Sequence, residues 1–192
     1  EVDGGRRPVI LHAPKNGFLF VIDRETGKPL RINALVRTSW ASGYDLTSGR
    51  PRATPESSAY WTGPKLVFPG APGARNWYPP AYDPDRGLYF ASVLDMGNLM
   101  FIPPSGPGPA PHRPRALNAG AVMIFTADLP AALPTLPPPL REAVEKLPEM
   151  RWVREKPYSS EIRAIDPLTG KAIWAVPTEG WQDRGGVLAT RS

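Results

Sequence analysis

Short apolar runs alternate with turn residues along most of this chain. Residues 18–22 have the sequence Phe-Leu-Phe-Val-Ile, a continuous aromatic and β-branched run that is typical of a strand buried on both faces. Asn16 and Gly17 separate this run from the apolar residues 8–12, and an Asn-Gly pair favours the tight turn that joins two antiparallel strands. The pattern therefore predicts a β-hairpin over residues 8–22.

The chain repeats a turn in which an aspartate stands four residues before a glycine. It occurs at Asp23, Asp45 and Asp166, with a variant at Asp83. The aspartate carboxylate can accept backbone N–H groups in such a turn, and the glycine can adopt a positive φ. Further strand-like runs cover residues 66–68 and 120–125, residues 81–92 contain a turn that leads into a strand, and a second hairpin covers residues 162–176. Repeated hairpins are typical of a β-propeller or a related array, in which each unit covers a face that its neighbour would expose.

Two stretches depart from this pattern. Residues 103–115 are rich in proline and have no apolar periodicity, so we expect a surface excursion there. Residues 129–150 begin rich in proline, but apolar residues at 140, 143, 144 and 147 lie on one helical face. Pro139 suits the first turn of a helix. We predict an insertion at 129–150 that contains one short helix.

The length limits how many units the chain can hold. Propeller blades take about 40–45 residues each, so 192 residues provide about three to four blades after the two excursions are subtracted. Rings of so few blades are at the lower limit of closure. The prediction is an all-β fold in which residues 1–192 form one domain, a partial β-propeller that looks like a piece of a larger ring.

Composition and charge exclude several classes of function. The net charge is +5, but the 23 lysines and arginines are scattered among acidic residues, so no nucleic-acid partner is expected. The absence of cysteine excludes a disulfide scaffold and a thiolate metal site. No segment has the 18 or so apolar residues of a membrane span. Standard catalytic motifs, including HExxH, a P-loop and Gly-x-Ser-x-Gly, are absent from the sequence.

A loop rich in aromatic residues is the first candidate binding site. Residues 70–80 bring Arg75, Asn76, Trp77 and Tyr78 together in consecutive positions. Amide and indole N–H donors beside aromatic faces suit a planar polyanion. The residues alone favour a structural role instead, with Trp77 packed between blades and Asn76 capping a turn.

Two other features join this loop as candidates. Lys15 is placed at the tip of the first predicted hairpin, where most lysines are simply solvated. Residues 180–187 include Trp181 and two adjacent glycines, which allow a close approach of the backbone to a ligand or to a neighbouring blade. On the residues alone, a structural turn is the better interpretation of that segment. Lys15 gains interest only if these patches converge on it.

Several motifs, in their order along the chain, carry a resemblance to a known family. They are Ala13-Pro-Lys-Asn-Gly-Phe-Leu-Phe-Val-Ile-Asp-Arg, Trp40-Ala-Ser-Gly-Tyr-Asp-Leu-Thr-Ser-Gly-Arg-Pro, Gly73-Ala-Arg-Asn-Trp-Tyr-Pro-Pro-Ala-Tyr, Ala164-Ile-Asp-Pro-Leu-Thr-Gly-Lys-Ala-Ile-Trp and Gly180-Trp-Gln-Asp-Arg-Gly-Gly-Val-Leu-Ala-Thr. Together they resemble the C-terminal half of the quinoprotein domain of alcohol dehydrogenases that depend on pyrroloquinoline quinone (PQQ). The chain departs from the family pattern at Arg75 and Tyr78, where histidine or a polar residue often stands, and at Asp183-Arg184, which are inserted before the glycines.

The resemblance implies an eight-bladed propeller with PQQ at its centre and a calcium or lanthanide ion beside it. It also implies oxidation of a small alcohol by hydride transfer, a cytochrome or quinone electron acceptor, and a periplasmic location. Lys15 would hydrogen-bond the quinone carbonyl region, and Asn76 and Trp77 would be the other cofactor contacts. The resemblance thus reverses the preference for a structural role of Asn76 and Trp77.

The resemblance assigns the other parts of the active site to the half of the domain that precedes residue 1. These parts are the aspartate base and the ligands of the metal, so no catalytic or metal-binding residue is expected within this chain. Residues 1–192 alone are therefore predicted to be inactive. Two alternatives stay open at this point: a non-catalytic propeller scaffold for protein–protein contacts, and an inactive truncated relic.

Overall fold

The computed structural model describes residues 4–57, 62–103, 112, 114–115, 120–181 and 185–190. Within these ranges the chain forms twelve strands, arranged in four small antiparallel sheets, and three short helices. The strands are β1 Val9–His12, β2 Phe18–Asp23, β3 Pro29–Ala34, β4 Ala41–Tyr44, β5 Pro51–Ala53, β6 Lys65–Val67, β7 Ala81–Asp83, β8 Leu88–Met96, β9 Asn98–Phe101, β10 Val122–Phe125, β11 Tyr158–Ile165 and β12 Ala172–Pro177. The helices are α1 Leu129–Ala132, α2 Pro138–Glu145 and α3 Met150–Glu155.

The first sheet has the order β1-β2-β3 and contains the predicted hairpin. Leu19 and Val21 of β2 are fully buried, whereas Phe20 and Ile22 on the opposite face are half-buried. That second face packs against the short β4-β5 sheet, where the Tyr44 ring lies 5.2 Å from the Phe20 ring in an edge-to-face contact. The strand is therefore covered on both faces, as its composition predicts, but more tightly on one of them.

The largest sheet has the order β12-β11-β8-β7 and is the one nearest to a complete four-stranded blade. Strands β8 and β11 are central and pair over eight residues, although the helical insertion and two further strands separate them in sequence. Strand β12 is exposed along its whole length and presents Ile173, Trp174 and Val176. An apolar strand of this kind is typical of a sheet that is covered by a neighbouring unit.

Two interactions fix the first sheet against the largest one. Asn33 of β3 donates hydrogen bonds to the carbonyls of Pro167 and Leu168, in the turn between β11 and β12. Arg163 of β11 donates to the carbonyl of Leu35 at 2.6 Å. Between the two sheets lies a core that includes Ala13, Leu19, Ala74, Tyr89, Val93 and Ile165. This core places the tip of the first hairpin beside residues 70–80.

The insertion between β10 and β11 builds a second core. Leu129, Val144, Met150 and Val153 of the three helices pack with Leu66, Phe68, Leu99 and Phe101 of the sheet β10-β9-β6 and its flanks. Helix α2 confirms the helix predicted from the apolar positions at 140, 143, 144 and 147, whereas α1 and α3 were not predicted. Helix α3 extends the helical region to residue 155, beyond the predicted end of the insertion at 150.

The predicted all-β fold is confirmed as several small antiparallel sheets with a minor helical part. Strands β3 and β9 were not predicted, and for β4 and β5 only the turn that joins them, at Asp45, was predicted. Most of the proline-rich excursion at 103–115 lies outside the described residues. The longest described helix has eight residues, which is far too short to cross a bilayer.

Candidate functional site

Lys15 is placed on a rigid turn between β1 and β2. The neighbouring Asn16 is held by three hydrogen bonds: its carbonyl accepts from Trp40 Nε1 at 2.9 Å, its Nδ2 donates to the Tyr44 hydroxyl at 3.0 Å, and its Oδ1 accepts from the Phe18 N–H at 3.1 Å. Burial raises the pKa of Tyr44, which keeps the hydroxyl neutral. The Lys15 side chain itself is exposed. The turn therefore presents a cation to solvent from a fixed backbone.

Residues 70–78, which we call the aromatic loop, pack directly on this turn. The N–H of Ala74 donates to the carbonyl of Lys15 at 3.0 Å, and Lys15 Nζ lies 3.4 Å from the carbonyl oxygen of Ala71. Gly73 has φ +75°, and a Cβ there would lie only 2.5 Å from Lys15 Cβ. Glycine at position 73 thus permits the lysine side chain to lie against the loop.

Asn76 and Trp77 belong to the same surface. Asn76 Nδ2 donates to the carbonyl of Pro72 at 3.2 Å, and Asn76 Oδ1 accepts from the Trp77 N–H at 3.0 Å. Lys15 and Asn76 therefore contact adjacent carbonyls, those of Ala71 and Pro72. The structure brings the three predicted site residues to one region rather than to opposite faces.

The exposure of Trp77 bears on one of the two interpretations of this residue that the sequence allowed. Its side chain is 80% exposed, so it does not plug the core between the sheets of this chain. The Trp77 and Tyr78 rings are neighbours, with their centroids 5.5 Å apart and their planes tilted by 39°. Asn76 does cap its turn, as the structural interpretation predicted. Both of its polar atoms have protein partners, so its amide orients the loop.

Arg75 lies beneath this surface and is only 8% exposed. Its guanidinium donates to the carbonyl of Ala13 at 3.0 Å and, through the other terminal nitrogen, to the carbonyl of Tyr78. Its Nε and the hydroxyl of Tyr89 are both buried without a hydrogen-bond partner among the residues that the structure describes. Burial raises the pKa of Tyr89, and the positive charge of Arg75 opposes that shift.

Asn98 fixes the other end of the aromatic loop. It is fully buried, and its Oδ1 accepts from the Ala71 N–H at 2.8 Å. A Cβ at Gly70 would lie 1.9 Å from the same oxygen, so only glycine fits at position 70. Because Asn98 holds the backbone of Ala71, it indirectly fixes the carbonyl that contacts Lys15.

The second glycine-containing patch also contacts this region. A Cβ at Gly186 would lie 2.6 Å from Pro79 Cγ, and the N–H of Val187 donates to the carbonyl of Pro79 at 2.9 Å. The hydroxyl of Ser92 donates to the carbonyl of Gly185 at 3.1 Å. These glycines therefore serve a close backbone approach next to the aromatic loop. The inserted residues 183 and 184 lie outside the described residues.

Lys15 does not line the grooves found on the described part of the chain. Three grooves, with volumes of about 510, 380 and 380 Å³, are lined by other residues, among them Asp83, Arg86, Phe20, Trp174 and Leu188. Among the described residues there is no cluster of three or more histidine or acidic side chains that could hold a metal ion. The candidate residues Lys15, Arg75 and Trp77 thus provide cationic and N–H donors, with no carboxylate in contact among the described residues.

Comparison with known proteins shows which proteins the chain resembles. No family model matches the chain. The chain is 36% identical over 178 residues to the quinohemoprotein alcohol dehydrogenase ADH-IIG of Pseudomonas putida, covering 92% of the chain and 22% of that enzyme. It is 49% identical over 92 residues to a 1-butanol dehydrogenase (cytochrome c) of Thauera butanivorans, covering 47% of the chain and 13% of that enzyme.

A solved structure agrees with these relatives. The quinohemoprotein alcohol dehydrogenase of Comamonas testosteroni superposes with a TM-score of 0.65 and 29% identity, over 93% of the chain and 23% of that structure. The chain belongs to the quinoprotein alcohol dehydrogenase family. It spans between a fifth and a quarter of the length of these quinohemoprotein relatives. The likeness supports the predicted partial propeller, in which several small sheets form a section of a larger fold.

The residues present fit the cofactor that this family implies. PQQ is a planar quinone with three carboxylates, so it requires cationic and N–H donors and a flat apolar contact. Lys15 supplies an exposed ammonium group, and Trp77 supplies an exposed indole with an N–H donor. Arg75 adds a buried positive charge without a carboxylate in salt-bridge contact among the described residues.

Sequence reasoning missed Gly73 and Asn98 as residues that support the site, and it named Arg75 in the candidate loop without predicting its burial. The Gly-x-x-Gly spacing at 70 and 73 was a signal for a close approach, but the sequence did not show what the loop approaches. Arg75 stands among glycine, proline and aromatic residues, where a charged residue is normally solvated. Asn98 gave no signal, because its partner lies 27 positions away.

Proposed function

We propose that the protein is a PQQ-dependent alcohol dehydrogenase in which this segment forms one wall of the cofactor site. Lys15, Asn76 and Trp77 are the proposed cofactor-binding residues. The observation that carries the proposal is their convergence: Lys15 and Asn76 contact adjacent carbonyls, with the exposed indole of Trp77 at the next position. Membership of the quinoprotein family supports the proposal.

PQQ, when bound, would accept the hydride that is removed from the alcohol. The ammonium of Lys15 has three donors, and a single long contact, to the carbonyl of Ala71, engages it among the described residues. It is therefore able to donate to an oxygen that gains negative charge during the reaction, and its fixed backbone keeps the cost of reorganisation small. Trp77 would cover a planar ligand and exclude water from one face of it.

Asn76 has a different role from Lys15 and Trp77 in this proposal. Its amide links the carbonyl of Pro72 to the N–H of Trp77, so it fixes the direction in which the indole leaves the backbone. One amide hydrogen remains for a ligand. The loop thereby presents its donors in a geometry set before the ligand arrives, which lowers the entropic cost of binding.

The remaining components are proposed from the family alone. The aspartate base and the calcium or lanthanide ligands would be supplied by other parts of the protein, so residues 1–192 alone would show no alcohol oxidation. The relative from Thauera butanivorans is named for cytochrome c, which supports a cytochrome as electron acceptor, whereas a quinone acceptor is proposed from the family resemblance. A periplasmic location follows from the same resemblance.

The test compares two lysine variants in the full-length protein that contains this segment. After reconstitution with PQQ and Ca²⁺, alcohol oxidation is followed by reduction of a dye, and PQQ affinity is followed by quenching of tryptophan fluorescence. Lys15→Ala is expected to lower kcat by about a hundredfold or more, the effect of losing one donor to a developing anion. Lys28→Ala removes an exposed lysine on the turn after β2 and is expected to change nothing.

The two possible failures have different meanings. If the wild-type protein neither binds PQQ nor oxidises any alcohol, the proposed function is wrong and the scaffold alternative gains support. If the wild-type protein is active and Lys15→Ala is as active as Lys28→Ala, the role of Lys15 is wrong while the family activity stands. Oxidation of an alcohol by residues 1–192 alone would show that the base lies within this segment.

A further inference from the structure

We propose that Arg75 is a positioning residue that fixes the Lys15 turn against the aromatic loop, and that its buried positive charge favours an anionic ligand at this site. The second half of this inference rests on the proposed function, because PQQ is the anion in question. The first half concerns the protein alone and can be tested without a ligand.

The positioning role follows from the partners of the guanidinium. Ala13 stands two residues before Lys15, and Tyr78 stands one residue after Trp77. Arg75 donates to the carbonyls of both residues, through its two terminal nitrogens. The guanidinium is a rigid planar fork, so the two hydrogen bonds set the distance between these carbonyls. The ammonium of a lysine is a compact point charge that does not reproduce this fixed geometry.

The two hydrogen bonds of Arg75 link the backbone segments that carry the predicted ligand contacts. The carbonyl of Ala13 belongs to the segment that leads into the Lys15 turn, which the N–H of Ala74 also holds. The carbonyl of Tyr78 belongs to the segment that carries Asn76 and Trp77. Arg75 itself is nine-tenths buried, so it supports the site from below rather than by surface exposure. A shift of either backbone would move the Lys15 ammonium relative to the Trp77 indole.

The electrostatic role follows from what surrounds the charge. No carboxylate of the described residues forms an ion pair with Arg75, and its neutral partners are two carbonyls. Within the described part of the chain its Nε has no hydrogen-bond partner, and neither has the buried hydroxyl of Tyr89. A buried cation without a counter-charge is costly, and a bound anion lowers that cost. Lys15, whose Nζ lies 3.4 Å from the carbonyl oxygen of Ala71, adds a second positive charge at the loop, so the site favours anions.

The experiment uses the full-length protein with three variants. Arg75→Gln removes the charge and the fork, Arg75→Lys keeps the charge and removes the fork, and Arg24→Gln removes an exposed arginine as the matched control. Hydrogen exchange of the peptide that spans residues 71–78, measured by mass spectrometry without ligand, reports the Ala74 N–H that binds Lys15. PQQ affinity is measured in parallel by fluorescence quenching at low and high salt.

Both Arg75 variants are expected to accelerate exchange of this peptide roughly tenfold relative to Arg24→Gln, since hydrogen bonds from a charged donor are lost. Arg75→Gln is expected to weaken PQQ binding roughly tenfold more than Arg75→Lys, and to show a smaller dependence on salt. If one variant does not fold, the other still decides the positioning role.

Three results would overturn parts of the inference. Unchanged exchange of residues 71–78 in either folded Arg75 variant contradicts the positioning role. Equal PQQ affinity of Arg75→Gln and Arg75→Lys contradicts the electrostatic role. A wild-type protein that does not bind PQQ contradicts the proposed function and the anion preference together, whereas the exchange measurement then still decides the positioning role by itself.

Discussion

Replacement of Gly73 by alanine is the sharpest test of how the Lys15 turn and the aromatic loop fit together. Gly73 has φ +75°, and the new Cβ would lie 2.5 Å from Lys15 Cβ and 2.6 Å from Lys15 Cγ. Gly27 provides a matched control, because it has φ +71° in a turn and no atom within 4 Å of an added Cβ. The two substitutions therefore share the backbone cost and differ in the clash.

The expected magnitudes follow from these two contributions. A positive φ costs alanine about 1–2 kcal/mol, and the lower entropy of the unfolded chain returns about 0.4–1 kcal/mol. Gly27→Ala is thus expected to lower the free energy of unfolding by about 1 kcal/mol. Gly73→Ala must also separate two carbons that normally lie about 3.5–4 Å apart, and such overpacking costs about 1–3 kcal/mol more.

Two measurements on the full-length protein separate the consequences. Urea unfolding gives the difference in stability between Gly73→Ala and Gly27→Ala, which is expected to be about 1–3 kcal/mol. Turnover with PQQ is expected to fall about a hundredfold in Gly73→Ala alone, because the separation displaces Lys15 by about 1 Å. Equal stability of the two variants, together with normal turnover of Gly73→Ala, would refute the contact between Gly73 and Lys15.

Two further predictions concern charged residues away from the site. Asp95→Ala leaves the guanidinium of Arg37 without the carboxylate that lies 2.9 Å away, and it is expected to lower the free energy of unfolding in urea by about 3 kcal/mol. Lys156→Ala removes the exposed partner of an ion pair at 3.8 Å and is expected to lower it by less than about 1 kcal/mol. Similar losses in the two variants would contradict the importance of burial. The backbone N–H of Ser48 holds the pKa of Asp45 below its ordinary value of 3.8, so this carboxylate contributes stability above pH 3.8 that is lost as the pH falls through the lower folded-state pKa. Unfolding between pH 2.5 and pH 6 should show a shallower loss of stability for Asp45→Asn than for the wild type, and parallel curves would contradict this prediction.

The sequence predicted the hairpins because their signals are local. The Asp-x-x-x-Gly turns at Asp23, Asp45 and Asp166 each place the carboxylate and the glycine within one turn, so neighbouring residues determine the structure. Strand β3 was missed because Pro29 and Arg31 interrupt its apolar pattern. Its position depends on pairing with β2 rather than on its own composition.

The candidate site was only partly predictable, because its contacts join segments that are distant in sequence. Lys15, Asn76 and Trp77 were named from the family resemblance, whereas their contacts depend on segments that are distant in sequence. Arg75 is buried because the carbonyl of Ala13 lies in reach, and nothing local to the aromatic loop indicates that. Helix α3 was missed because six residues with two buried side chains give too little periodicity.

The bond between Arg75 and Ala13 joins residues 62 positions apart, and this has a consequence for folding kinetics. The first hairpin has local contacts and can form early, but closing a loop of this length must wait until the sheets dock. A chain with every hairpin formed would therefore still lack the site. Binding of a ligand to this surface would report the last stage of folding and would stabilise only molecules that have completed it.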